Sequence, residues 1–284
     1  MIRIGIFAKT FVRPSLRATL DAVASHDLSC VQFNMACVGL PTLPEAIEPA
    51  LASEVADAFR ARGLVMAAVS GTFNMIDPDR ARRTDGLRRL GVLAEACRGL
   101  GTSIVTLCTG TRDPEDMWRR HPENDSDGAW GDLVESLSRA VELAAEHDIV
   151  LAFEPEVANV VDSAGRARRL LDELHSPRLK VVLDPANLFP AGSLPRMREI
   201  LDETFALLGG DVVLAHAKDL SRDGEAGHEA AGQGVLDYDH YLHLLRAGGY
   251  DGPLILHGLA ETQVASSVAF LREKLIRSSP RGPS

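Results

Sequence analysis

Eight short apolar, β-branched runs punctuate the chain: IRIGIF (2–7), CVQFN (30–34), LVMAAV (64–69), SIVTLC (103–108), IVLAFE (149–154), KVVLD (180–184), VVLAH (212–216) and PLILH (253–257). Each is nearly continuous in apolar residues rather than alternating, which is the pattern of a strand buried on both faces of a parallel sheet. The stretches between them are longer, rich in Ala, Leu, Arg and Glu, and carry a helical period. Residues 79–99 set Leu87, Leu90, Ala94 and Cys97 on one face and turn Arg88 and Arg89 away from it. Residues 131–146 do the same with Leu133, Leu137, Ala140, Val141 and Ala144. Residues 163–174 open on Ser163, an N-cap type placed after Asp162. Eight strand-then-helix units predict an α/β protein, a single-domain (β/α)8 TIM barrel over residues 1–276, followed by a disordered Pro/Gly-rich tail at 277–284. The competing doubly wound sheet calls for a Gly-rich phosphate turn after the first strand. Gly5-Ile6-Phe7-Ala8-Lys9 is not one.

Two connections exceed what a barrel needs: 109–130 after the fourth strand and 219–237 after the seventh. Both leave C-terminal strand ends, where active-site loops of this architecture sit, so they are expected to act as lids. Composition narrows the partners. The formal net charge is −10, which excludes a global basic field for nucleic acid or an anionic membrane. No apolar stretch is long enough to span a bilayer, and the start of the chain has no signal-sequence character. Four cysteines without a CxxC pair fit a reducing cytoplasm better than a disulfide scaffold or a cysteine zinc site. The expected partner is a small sugar-like molecule, and association into a homo-oligomer is left open.

The chemistry concentrates at the ends of the last four strands. They read LAFEPE with Glu154 and Glu156, VVLDPAN with Asp184 and Asn187, LAHAKD with His216 and Lys218, and LILHGLAE with His257 and Glu261. In a closed barrel four equivalent strand ends converge on one mouth, so two carboxylates and two imidazoles face one another. Such a set suits one divalent cation: manganese, cobalt, zinc, iron or, less well, magnesium. The cation would act as a Lewis acid on a hydroxy-carbonyl substrate.

These pieces resemble the xylose-isomerase-like barrel superfamily, in its sugar phosphate isomerase/epimerase branch. The matching segments are FEPE, LDPANL, HAKD, GQGVLDY and GYDGPLILHGL, most specific from about Val150 to Leu259. The resemblance implies a metal held by Glu154, Asp184 and His216. It also implies proton transfer by two carboxylates on opposite faces of the substrate, the first matched by Glu154. The family's usual fourth ligand is a glutamate on the eighth strand, and here His257 stands in its place. His257 is therefore expected either as the fourth ligand or as the second acid/base, with Glu261 reaching back from the loop as the other candidate for returning the proton. Ketose epimerases also tend to carry a histidine three residues after the aspartate, where this chain has Asn187.

Gln32, Asn34, Glu156, Asn187, Lys218 and His228 are expected to contact substrate, with Lys218 on an oxyanion or else paired with Asp219. Trp118 is a candidate for stacking on a sugar or for packing its loop, and Cys108 is expected to be packing. The leading expectation is a metal-dependent isomerase or epimerase. A keto-sugar or keto-inositol dehydratase or lyase and a non-catalytic sugar-binding barrel are the alternatives. The related apurinic endonucleases need many more histidines than these strand ends offer.

Overall fold

The computed structural model describes residues 2–277. Eight parallel strands close into a barrel: β1 (Arg3–Phe7), β2 (Cys30–Phe33), β3 (Val65–Ser70), β4 (Ile104–Cys108), β5 (Val150–Glu154), β6 (Leu179–Leu183), β7 (Val212–Asp219) and, last in the ring, β9 (Pro253–Leu256). Each pairs with its sequence neighbour, and β9 closes the ring by pairing β1 with Gly5 opposite Ile255. The short β8 (Glu229–Ala230) is antiparallel to the end of β7 and belongs to the loop over the barrel. A helix follows each barrel strand: α1 (Leu16–Ala24), α2 (Pro49–Arg60), α3 (Arg80–Leu100), α4 (Asp127–Glu146), α5 (Ala164–Leu174), α6 (Met197–Leu208), α7 (Tyr238–Ala247) and α8 (Val264–Arg277). Among the described residues no helix is long and apolar enough to cross a membrane.

The helix starts are chemically marked. Ser163 accepts from Arg166 N and caps α5, as its position suggested, and Ser15 caps α1 in the same way. Helix α4 begins four residues before the expected 131, because Ser126 caps it and the glycines at 128 and 131 are absorbed into its first turns. Residues 278–284 of the expected tail lie outside the described residues, and Arg277, assigned to that tail, instead ends α8.

Strand parity decides where the site forms. Because side chains alternate across a strand, one set points outward and packs under the helices, including Ile6, Val31, Val105, Leu151, Val181 and Leu254. The other set points into the barrel, where Phe7, Cys30, Ala68, Ala152, Val182, Leu214 and Ile255 make a separate apolar plug. Two residues further along the same strands stand Lys9, Gln32, Ser70, Glu154, Asp184, His216 and His257. The barrel interior thus changes from apolar to polar within one side-chain layer, and that polar layer is the floor of the mouth.

Candidate metal centre and active site

A cavity of about 860 Å³ opens above this floor. Its wall includes Glu154, Glu156, His216, Lys218 and His257, while Trp118 and His228 come from the two long loops. Both loops therefore border the site, as their lengths suggested. Trp118 is 54% exposed at the rim.

At the centre, one donor atom each from Asp184, His216 and His257 lies within 4.8 Å of the others. Asp184 Oδ2 is 3.6 Å from His216 Nδ1 and 4.0 Å from His257 Nδ1. All three atoms are buried; Asp184 Oδ2 meets only the Lys218 ammonium, and neither imidazole nitrogen has a hydrogen-bond partner. Buried polar atoms are rarely left so, and three converging on one point make a set that a divalent cation would satisfy. A carboxylate and two imidazoles suit zinc, manganese, cobalt or iron. Glu154 stands at the edge of this trio, its Oε1 3.7 Å from His216 Nδ1.

Gln32 governs which nitrogen of His216 faces the site. Its Oε1 lies 2.8 Å from His216 Nε2, and its amide nitrogen donates to Thr106 Oγ1 at 3.2 Å. The oxygen can only accept, so Nε2 carries a proton, and in the neutral ring Nδ1 is the nitrogen that presents its lone pair to the centre. Burial disfavours charge on His216, but Glu154 and Asp184 outweigh it and, with no cation bound, raise its pKa to about 9. His257 moves the other way: burial, then Lys218 and His216, hold it well below the usual histidine range, so it is neutral.

Lys218 is buried with Nζ 3.1 Å from Asp184 Oδ2. Burial alone would lower its pKa; Asp184 and Glu154 reverse this and keep it an ammonium. The same contact keeps Asp184 ionised, as the attraction of Lys218 and His216 overcomes its desolvation. Asp219 does not pair with Lys218. It accepts instead from the backbone N–H groups of Leu220, Gly232 and Leu236 and so shapes the loop after β7. Burial and the neighbouring Glu154 push Glu156 up to about 7.

The remaining candidates divide. Asn34 lines the cavity, but its Oδ1 caps Ala36 N and bonds Thr42, so it serves its own turn. His228 lines the cavity and bonds Ser221 Oγ through Nε2 at 2.9 Å. Asn187 is engaged at both ends of its amide, by Glu154 and by Gly227. Glu261 is not brought to the site. Its carboxylate pairs with Arg13 in a contact between the loops after β9 and β1, 41% exposed and off the cavity wall. The sequence placed it near the mouth because it follows β9 closely, but the chain after Gly258 turns outward toward α8, and Arg13 captures it. Cys108 packs as expected, its thiol donating to Phe73 O, and burial pushes its pKa up. Three further cations line the cavity that the sequence pattern did not single out: Lys9, Arg120 and Arg222. For Lys9 a signal existed, since it stands two residues beyond the inward-facing Phe7.

The L-ribulose-5-phosphate 3-epimerase UlaE of Shigella flexneri serotype 5b (strain 8401) is 24% identical over 190 residues, covering 67% of this chain and 62% of that protein, less than two thirds of its length. The structure of an L-ribulose 3-epimerase superposes with a TM-score of 0.77 at 17% identity, covering 100% of both chains. The IOLI protein, determined with a bound zinc atom, superposes with a TM-score of 0.74 at 15% identity, covering 98% of each chain. The profile of one family spans residues 20–274, from α1 through the polar floor to α8, and by that match the chain belongs to the xylose isomerase-like TIM barrel family.

Proposed function

We propose that the chain is a divalent-metal-dependent epimerase or isomerase of a sugar or similar hydroxy-carbonyl compound. The observation that carries this reading is the convergence of buried donor atoms on Asp184, His216 and His257, the two imidazole nitrogens without a partner, beneath a cavity that Glu154 also borders. Asp184, His216 and His257 would hold the ion, with Glu154 completing the set. The ion supplies Lewis-acid stabilisation of negative charge that develops on a substrate oxygen. The named activities of UlaE and the L-ribulose 3-epimerase support a ketose or its phosphate as substrate.

The residues themselves do the rest. Glu154 has Oε1 held by Asn187, while no hydrogen bond among the described residues reaches Oε2, so that oxygen suits taking a proton from a carbon next to a carbonyl. Lys218 adds a buried positive charge that favours the same developing anion. His257, held neutral, suits a ligand rather than a proton donor. Glu156 on the cavity wall takes over the role considered for Glu261, returning the proton. The four free cysteines suit a reducing cytoplasm.

The test is incubation of protein reconstituted with Mn, Co or Zn with ketoses and ketose phosphates in D2O, followed by NMR. Deuterium at the carbon beside the carbonyl with a new epimer or isomer is the expected result. Exchange accompanied by loss of water identifies a dehydratase. Metal binding without any C–H exchange across the panel overturns the proposal in favour of a sugar-binding barrel.

A further inference from the structure

Asn187 is buried on the turn after β6, and every polar group of its side chain that can anchor it is used. Nδ2 donates to Glu154 Oε1 at 2.6 Å. Oδ1 accepts from the backbone N–H of Gly227 at 2.9 Å. A carboxylate only accepts and a backbone N–H only donates, so the partners fix the orientation of the amide. The main-chain carbonyl of Asn187 accepts from Val157 N at 3.0 Å. One residue therefore ties together the loops leaving β5, β6 and β7, and it does so on the carboxylate read above as the base.

The loop after β7 is built to reach it. A Cβ at Gly227 would collide with Ala186 and come within 2.9 Å of Asp219 O and Lys218 Cε, so only glycine brings the backbone this close. The same segment is fastened to the β6 loop by Gly224 N to Phe189 O at 2.8 Å and by Leu194 N to Asp223 Oδ2 at 2.8 Å. His228, next in sequence, lines the cavity.

We infer that Asn187 is a positioning residue that makes the orientation of Glu154 conditional on docking of segment 223–228. With the segment down, Gly227 holds the amide oxygen, the amide nitrogen holds Glu154 Oε1, and Oε2 is left to the substrate. With the segment lifted, the amide loses one anchor and turns freely, and Glu154 loses its fixed donor. The base is thus assembled only when the segment is docked. The role given to Glu154 rests on the proposed function; the mechanical link between Glu154 and the loop does not.

Hydrogen exchange of the Gly227 amide in the full-length, metal-free protein tests that link without substrate. Asn187→Leu removes both bonds and should speed this exchange about tenfold, the factor expected for one lost hydrogen bond. Glu154→Leu removes no hydrogen bond of the loop itself, yet it frees the amide nitrogen and should speed the same exchange, because coupling is reciprocal. Asn187→Asp keeps an acceptor for Gly227 but sets a second carboxylate against Glu154. It should leave exchange within about threefold of wild type while lowering kcat of the metal-loaded enzyme far more than it raises KM. Wild-type exchange in Glu154→Leu, or wild-type kcat in Asn187→Asp, overturns the inference. If no substrate is turned over but both leucine variants loosen the loop, the link stands and the functional reading falls.

Discussion

Replacing Asp184 by Asn removes one charge and almost no volume, so its consequences are electrostatic. Asp184 is fully buried, with the Lys218 ammonium 3.1 Å from Oδ2 and His216 Nδ1 3.6 Å away. At an effective dielectric constant of about 20, unit charges at 3.1 Å attract by roughly 5 kcal/mol. Breaking a buried pair by removing one partner costs about 3–5 kcal/mol, because the other charge stays buried and uncompensated. Metal-free Asp184→Asn should therefore lose about that much in urea denaturation followed by circular dichroism, and its Tm should fall by on the order of 10 °C. If the loss comes from the orphaned ammonium, adding Lys218→Met to Asp184→Asn should recover much of it, giving a coupling energy of about 2–3 kcal/mol in a double-mutant cycle. The second arm adds metal. A cation at about a hundred times its Kd should stabilise the wild type by about 2.7 kcal/mol and leave Asp184→Asn nearly unmoved. A single variant with the wild-type midpoint, or two substitutions whose costs simply add, would refute the pairing.

Gln32→Leu should weaken divalent-metal affinity about 10–100-fold in calorimetric titration, since the tautomer of His216 is no longer set; unchanged affinity would return Gln32 to a substrate-binding or packing role. His216 also imposes a pH dependence on the metal-free protein. Its folded pKa of about 9 lies above the ordinary 6.5, so its stabilisation is full below 6.5 and is lost as pH rises through 9. That amounts to roughly 3 kcal/mol, to be read from urea midpoints in a chelator, and midpoints that stay flat or rise over this window would contradict it. Metal binding should tighten over the same range, as the ion displaces the imidazolium proton. Glu261→Gln should change kcat less than about twofold, because its carboxylate serves Arg13; a hundredfold loss would restore it as a proton donor.

The barrel and the neighbourhood of its site were determined by sequence alone, and the reason is local. Apolar runs broken by amphipathic returns leave a strand-helix alternation few other solutions, and closure then brings every strand end to one mouth. Parity along a strand is equally local, so Glu154, Asp184, His216 and His257, each two residues beyond an inward-facing apolar residue, had to join one layer. What each polar group does within that layer was decided by the tertiary structure. Gln32 has the sequence position of a substrate contact, yet it meets His216, 184 residues away, across the barrel. Lys218 has Asp219 as its chain neighbour and pairs with Asp184 from the adjacent strand. Asn187 has the position of a substrate contact and serves as the tie between Glu154 and Gly227. Glu261, four residues past His257, is drawn outward by Arg13, 248 residues earlier in the chain. Hydrophobic period fixes the face on which a side chain emerges. Its hydrogen-bond partner depends on register, loop path and rotamer among strands that meet only after the ring has closed, and these quantities have no local trace in the order of residues.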